Sequence, residues 1–278
     1  MTDPANAEST PPTVRALCSQ TEYQQAVTLQ EQIWGADIRE TVPACILQIS
    51  QEVGGIADGA FSPDGHLVGF VFGLTGFRNG LSAHWSHILA VEKDWRDRGI
   101  GRMLKEHQRS ALLNMGVDRM FWTFDPLESR NAHLNLNVLG ATVESYIPHF
   151  YGETAVAATD TVIGTDRFVV RWDLSERAPA TQCQNPGLAE IPSVSLHAES
   201  GTPDRGVVPA AGSSDIVRVE APADIQALKH IDPESAKQWR ELTRRALIHY
   251  FDAGFTVTEF RPEPVGRGGW YILVNQRS

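Results

Sequence analysis

The stretch from Leu81 to Phe124 limits the fold of this chain more than any other. "LSAHWSHILAV" (81–91) is an apolar run of strand length. "EKDWRDRG" follows it. "IGRMLKEHQRSALLNMG" then carries Ile100, Met103, Leu104, His107, Ala111 and Leu112 at helical spacing and ends at Gly116. "VDRMFWTFDP" is a second apolar strand, stopped by Pro126. A strand, a helix and a strand in this order make a crossover, so the two strands run parallel with the helix packed over them.

The neighbouring segments add antiparallel strands. "IADGAFS" and "LVGFVFGLTG" flank "PDGH", whose Pro-Asp-Gly run is a turn signal. Upstream, "TVRALCS" (13–19) reads as a strand and "TEYQQAVTLQEQIWG" as a helix, with Thr21 and Gln24 as a capping box. "ETVPACILQISQEVGG" is a second helix. Downstream come a short helix in "ESRNAHLNLNVLGA" and strands in "TVESYIPHFYG" and "DRFVVRWDL" (166–174). These elements predict an α/β (α+β) fold with a mixed, mostly antiparallel central sheet flanked by helices. From Glu176 to about Ser214 the chain turns rich in Pro, Ser, Ala and Gly, the composition of a linker. Beyond it, a long helix (Asp232 to about Asp252) and strands after Gly254 and in "GWYILV" resume regular patterning. The expected organisation is a domain over 13–174, a linker over 175–214 and a small C-terminal α/β region over 215–278.

Composition excludes several classes of function. The 278 residues include 42% hydrophobic residues and 7 Trp, enough to bury a core. A net charge of -10 argues against a general nucleic-acid binder and against a polybasic membrane anchor. No apolar run reaches the ~18 residues of a membrane span. Three scattered cysteines (Cys18, Cys45, Cys183) show no ligand spacing, so no metal is expected, and they suit a reducing, cytoplasmic setting. The polar first twelve residues carry no periodic pattern and are expected to lack regular structure.

"RDRGIG" places Gly99 and Gly101 at a strand-to-helix turn, where unpaired N–H groups and a positive dipole end attract anions. A P-loop would need Gly-Lys-Ser/Thr, which is absent. A dinucleotide fingerprint would need a third Gly where Leu104 stands. Arg/Gln-x-x-Gly-x-Gly/Ala remains, matched by Arg96, Gly99 and Gly101. The alternative is a solvated basic face, the expectation held here for Arg102, Lys105 and Arg109.

With its flanking strands, "HILAVEKDWRDRGIGRMLKEHQRSALLNMGVDRMFW" resembles the acyl-CoA-binding motif of the GNAT superfamily of N-acyltransferases. "NAHLNLNVLGA" (131–141) resembles the helix that follows the next strand in that superfamily. The resemblance covers about residues 13 to 174. It implies acetyl-CoA or another acyl-CoA as co-substrate. The loop of Arg96, Arg98, Gly99, Ile100, Gly101 and Arg102 would hold the pyrophosphate. The backbone of Leu89, Ala90 and Val91 would hold the pantetheine arm, and Asn131 would contact the coenzyme. "WTFDPLESRNAHLNLNVLGA" and "YIPHFYG" resemble a branch associated with N-succinylation of amino acids.

Acyl transfer to an amine needs a proton acceptor, and the leaving thiolate gains from a donor. Strand alternation places Trp85, His87, Leu89 and Val91 on one face. Where some superfamily members carry a basic Glu, this chain has Trp85. His87 is the substitute, against the alternative of a packed structural histidine. Asp125, at the end of the next strand, would bind the substrate ammonium or relay its proton; otherwise it forms the turn before Pro126. The superfamily's usual acid, a Tyr, is replaced by Leu136. Tyr151 and Tyr146 are the candidate replacements, with His149 behind them. Arg240, Arg244 and Arg245 are expected on a solvated helix face.

The expected function is transfer of an acetyl or succinyl group from coenzyme A to the amine of a small molecule such as an amino acid, with no nucleic-acid or membrane partner. A homodimer is left open. The competing readings are a non-catalytic acyl-CoA-binding regulatory module and a protein lysine or N-terminal acetyltransferase.

Overall fold

A computed structural model of the chain describes residues 11–35, 41–152, 163–176, 187–196, 206–264 and 268–276. Residues 1–10 and, within the expected linker, 177–186 (Cys183 among them) and 197–205 lie outside the described residues. The chain divides into two compact units. One is Met1–Trp122 with Asp173–Glu176, and the other is Thr123–Trp172 with Arg177–Ser278. This division runs through a strand and does not coincide with the expected limit at residue 174.

The first unit holds β1 (Thr13–Ala16), α1 (Gln20–Trp34), α2 (Ala44–Glu52), β2 (Ile56–Phe61), β3 (Leu67–Arg78), β4 (Leu81–Val91), α3 (Ile100–Asn114) and most of β5 (Arg119–Phe124). Its strands lie in the order β1-β2-β3-β4-β5. All neighbours are antiparallel except β4 and β5, the parallel pair that the crossover requires. α1 and α2 cover one face, where Leu17, Ala26, Leu29, Leu47, Phe70 and Phe72 form the core. Burying each such large apolar side chain contributes roughly 1.5–3 kcal/mol. α3 covers the opposite face. Ile100 and Leu104 pack over Gly69, where a Cβ would lie 3.4 Å from each of them and 2.9 Å from Ala90 O.

The cap of α1 is Ser19 rather than the expected Thr21. Ser19 has extended backbone angles, and its side chain accepts from Glu22 N at 3.3 Å. Glu22, three residues on, accepts from Cys18 N at 2.8 Å and pairs with Arg15.

The second unit takes the end of β5, α4 (Ser129–Ala132) with a π-helical turn over His133–Val138, β6 (Thr142–Ile147) and β7 (Arg167–Asp173) up to Trp172. β6 and β7 are antiparallel. It also holds β8 (Ser193–Val194), β9 (Ile216–Ala221), α5 (Ile225–Ile231), α6 (Pro233–Asp252), β10 (Phe255–Pro262) and β11 (Gly269–Asn275). β8 falls inside the stretch expected to be a linker, where it runs parallel to β9 in a four-stranded sheet of order β10-β11-β9-β8. α6 starts at Asp232, whose carboxylate accepts from Ser235 N at 3.1 Å, with Pro233 in the first turn. The mixed, mostly antiparallel sheet with flanking helices is the fold class that the sequence predicts. Among the described residues no helix is long and apolar enough to cross a membrane.

Gly73 on β3 tolerates nothing larger. A Cβ there would lie 2.2 Å from His84 Nε2 and 2.6 Å from the Trp85 carbonyl oxygen. Gly73→Ala is expected to lower stability by about 1–3 kcal/mol, read as a lower urea midpoint at unchanged slope.

Candidate active site

β4 is irregular at one residue. Phe72 on β3 pairs with Ile88 and Gly73 pairs with Ser86, so His87 has no partner across the ladder and forms a β-bulge. The extra residue reverses the alternation of side chains. Before it, His84 and Ser86 turn toward α3, where they meet Gln108 and Lys105. After it, Ile88 and Ala90 join the core under α1 and α2. Val91 shares its side with Gly69, which abuts α3. The single face expected for Trp85, His87, Leu89 and Val91 therefore breaks at the bulge.

β4 also parts from its parallel neighbour. The two strands pair at His84 with Met120 and at Trp85 with Phe121, and no pairing with β5 continues past Trp85. From Ser86 to Val91 one edge of β4 is thus bonded to β3, while the other is open to a different backbone-like partner. Leu89, Ala90 and Val91 stand on this stretch.

The loop beyond β4 is held from within. Arg96 Nε donates to Val91 O at 3.1 Å, and the Arg98 guanidinium lies over Trp95 at 4.9 Å. Asp97 (φ 61) and Gly99 (φ 78) are left-handed. Gly99 is the N-cap of α3 with no side-chain cap, and its missing Cβ would face open space. The first return bond of the helix runs from Met103 N to Gly99 O. The N–H groups of Ile100, Gly101 and Arg102 therefore stand without helical acceptors at the positive dipole end. Arg96, Arg98, Gly99 and Arg102 are exposed, whereas the Ile100 side chain is buried and anchors the turn. Exposed amides, a bare glycine and flanking arginines suit a pyrophosphate. Asn131 lies exposed on α4, in the second unit.

His87, at the bulge, is exposed at its edge and packs T-shaped on Phe72 with ring centroids 6.2 Å apart. The surrounding protein desolvates the ring enough to lower its pKa below the ordinary imidazole value. The side chain is therefore a neutral base at pH 7.

Behind β4 lies a group that the sequence pattern did not reveal. Lys105, expected in solvent, is 2% exposed. Its Nζ donates to Ser86 Oγ at 2.7 Å and sits 4.0 Å over the Trp122 ring and 3.7 Å from Met120 Sδ, and among the described residues no carboxylate is bonded to it. Burial pushes its pKa down to about 7. Ser86 Oγ donates to Gln108 Oε1 at 3.0 Å, and Gln108 Nε2 donates to His84 Nε2 at 3.0 Å. This leaves the His84 proton on Nδ1, which donates to Thr75 Oγ1 at 2.9 Å. Burial, then the nearby Lys105 charge, lowers the His84 pKa to about 3, so the ring stays neutral. The signal available in the sequence was the spacing of Lys105, Gln108 and Leu112, which continues the buried arc of α3.

In the second unit Asp125, Tyr146 and Tyr151 fall in one ionic cluster. Asp125 is buried, bonded to Arg240 Nη2, 3.7 Å from Arg167 Nη1 and accepting from Leu127 N at 2.8 Å. Burial alone would raise its pKa, but Arg240 and Arg167 outweigh it and hold the carboxyl below its ordinary value. Arg240 is 2% exposed, which corrects its expected solvated position. Arg244 likewise makes a two-point pair with Asp166 at 2.7 and 2.8 Å. Arg245 donates to Gly206 O at 3.1 Å. Tyr146 donates to Asp166 Oδ2, and burial first, then Asp166, drives its pKa far above that of an ordinary phenol. Tyr151 shares a hydrogen bond with Thr123 Oγ1 at 3.1 Å, its ring facing Arg167 at 5.4 Å. His149 N donates to Asp166 Oδ1 at 3.1 Å. Asp125 as placed is a counter-ion for Arg240, and Tyr146 is committed to Asp166. Tyr151, by contrast, is hydrogen-bonded to the uncharged Thr123 hydroxyl.

No family model and no curated protein matches the chain. Solved structures similar to it include an aminoglycoside 6'-acetyltransferase type Ii (18% identity, 59% of this chain and 99% of that one, TM-score 0.46). Others are the ribosomal-protein-S18-alanine N-acetyltransferase from Escherichia coli (18%, 60% and 97%, 0.45) and Ard1 from Thermoplasma volcanium (15%, 60% and 100%, 0.46). Likeness at this level assigns neither an activity nor a substrate to the chain.

The ionic cluster carries a prediction. Asp125 and Asp166 have folded pKa values below the ordinary carboxylate value. Their contribution is complete above about pH 4 and is lost as pH falls through the folded values. Arg240→Met, which leaves Asp125 short of its main partner, is expected to cost about 3 kcal/mol at pH 7 in urea unfolding, and less at pH 3.

Proposed function

We propose that the chain is an acyl-CoA-dependent N-acyltransferase that moves an acetyl or succinyl group to the amine of a small molecule such as an amino acid. The observation that carries this reading is the open edge of β4 leading into the bare-amide loop at Gly99. An open strand edge pairs with the two amides of a pantetheine arm as it would with another strand, and the loop meets the pyrophosphate at the end of that arm. Arg96, Arg98 and Arg102 add positive charge around the anion, with Arg96 also fixing the loop to Val91. Asn131 is kept as a further coenzyme contact. The acyl-transfer segment is 13–174, with 215–278 as a C-terminal extension.

In this reading the thioester carbonyl sits beside the bulge. His87, neutral at pH 7, takes the proton that the amine loses as the C–N bond forms. A strand end freed of pairing also offers N–H groups to the developing oxyanion. Asp125 and Tyr146 are assigned to holding the second unit together rather than to proton transfer, because Asp125 is bonded to Arg240 and Leu127 N and Tyr146 to Asp166. Tyr151 remains the tyrosine candidate for protonating the leaving thiolate.

The test is release of free thiol from acetyl-CoA and succinyl-CoA against a panel of amino acids, polyamines and peptides. Turnover with a small amine supports the proposal, and turnover with peptides alone favours a protein acetyltransferase. Coenzyme binding without turnover on any amine favours the non-catalytic module. Arg98→Glu is expected to weaken coenzyme binding by roughly 10–100-fold, the loss of a charge-assisted contact. His87→Ala is expected to lower kcat by roughly 10²–10⁴-fold and to remove the acid-side fall in activity. That fall should lie below the ordinary histidine pKa, because a base with a lowered pKa loses its free form only at lower pH.

A further inference from the structure

The reaction proposed above needs a proton for the departing sulfur, and the first unit contains a buried proton source at the place where β4 opens. Ser86 is the first residue after the last β4–β5 pair. At about 3.3 Å per residue it lies roughly 17 Å from Val91 at the loop end of the strand, a length comparable with an extended pantetheine arm. A coenzyme whose pyrophosphate rests on the loop therefore brings its sulfur to the neighbourhood of Ser86.

We propose that Ser86 donates the proton to the leaving thiolate and that Lys105 replenishes it, in place of the tyrosine whose position is occupied by Leu136. This rests on the acyltransferase reading. As the amine nitrogen bonds to the carbonyl carbon, the C–S bond breaks and sulfur keeps its electron pair. The Ser86 hydroxyl turns from Gln108 Oε1 to the sulfur and gives up its proton. The Lys105 ammonium passes a proton to Ser86 Oγ and becomes a neutral amine. His87 holds the proton taken from the substrate amine, and exchange with solvent restores both groups before the next turnover.

The hydrogen-bond directions support this assignment. Every hydrogen in the chain points away from Lys105: Lys105 to Ser86, Ser86 to Gln108, Gln108 to His84 and His84 to Thr75. The neutral His84 accepts at Nε2, which fixes the Gln108 amide with its oxygen toward Ser86. Lys105 is thereby left as the group that feeds the chain. β4 presents uncharged His84 and Ser86 to it, β5 presents Met120 and Trp122, and α3 presents Gln108. The carboxylate of Asp58 on β2 is engaged by His107 Nδ1 at 2.8 Å, and Glu106 pairs with Arg109 at 3.5 Å. Among the described residues no carboxylate is bonded to Lys105 to hold it permanently charged, and its lowered pKa, about 7, suits a group that gives and regains a proton near neutrality.

The experiment compares wild type with Lys105→Met, Ser86→Ala and Tyr151→Phe on two donors. One is the acyl-CoA. The other is an acyl thioester of an electron-poor thiophenol, whose sulfur leaves without a proton. A donor of the proton matters for the first and not for the second. Lys105→Met and Ser86→Ala are expected to lose roughly 100-fold or more in kcat with acyl-CoA, within the range of general acid catalysis, and less than tenfold with the activated thioester. Lys105→Met should also abolish the decline of wild-type kcat above about pH 7 that comes from deprotonating the acid. Ser86→Ala, a small change, carries the test if Lys105→Met fails to fold. Equal losses with both donors in folded variants would mean a structural role and overturn the proposal. So would the donor-dependent pattern appearing only in Tyr151→Phe. If wild type turns over no acyl-CoA with any amine, the function proposed above falls and this assignment with it.

Discussion

Everything proposed for this chain depends on β4 leaving β5 after a single stretch of pairing at His84 and Trp85. Two adjacent parallel strands would ordinarily satisfy each other's backbone along their whole length. Here the bulge at His87 interrupts the ladder on the β3 side at about the same level. The open edge that results is costly if nothing fills it, because backbone donors and acceptors need partners. A ligand carrying amides of its own meets that need, and the loop that follows supplies an anion site at the end of the same edge. The open edge and the loop's bare amides together are what the proposed coenzyme, elongated, amide-bearing and anionic, would engage.

Each unit buries a polar cluster, and the two clusters differ. In the second, charges are paired: Asp125 with Arg240 and Asp166 with Arg244. Such pairs add little net stability, because desolvation offsets the attraction, but losing one partner strands the other. In the first, a lysine is buried without a carboxylate, beside a serine, a glutamine and a neutral histidine. A paired interior is built to keep its protonation state over a wide pH range. An unpaired lysine with a pKa near 7 is built to change it. That contrast is why the proposed proton donor lies behind β4 rather than around Asp125.

Much of this was legible in the sequence. The glycines and arginines of the loop stand between a clear strand and a clear helix, so the turn and the parallel crossover follow from local pattern alone. The bulge at His87 did not, because it is set by register against β3, and a run such as "HWSHILAV" alternates equally well with or without it. Lys105 was misread for a related reason. Its spacing from Leu104 and Leu112 puts it on the buried arc of α3, but the residue type signals solvent, and only the packed Ser86 and Trp122 show otherwise. Arg240 and Asp125 lie 115 positions apart in the chain. Their pairing is a tertiary fact that no local spacing encodes, so Asp125 looked like a free carboxylate at a strand end.

The central claim is that the open edge of β4 and the loop at Gly99 bind coenzyme A together. Titrating coenzyme A into isotope-labelled protein and following backbone amide resonances tests it most directly. Saturable shifts are expected, concentrated at His87 to Val91 and at Arg98 to Arg102, with the Gly99 and Gly101 amides among the largest. Shifts confined to other surfaces, or none at millimolar coenzyme, would contradict it.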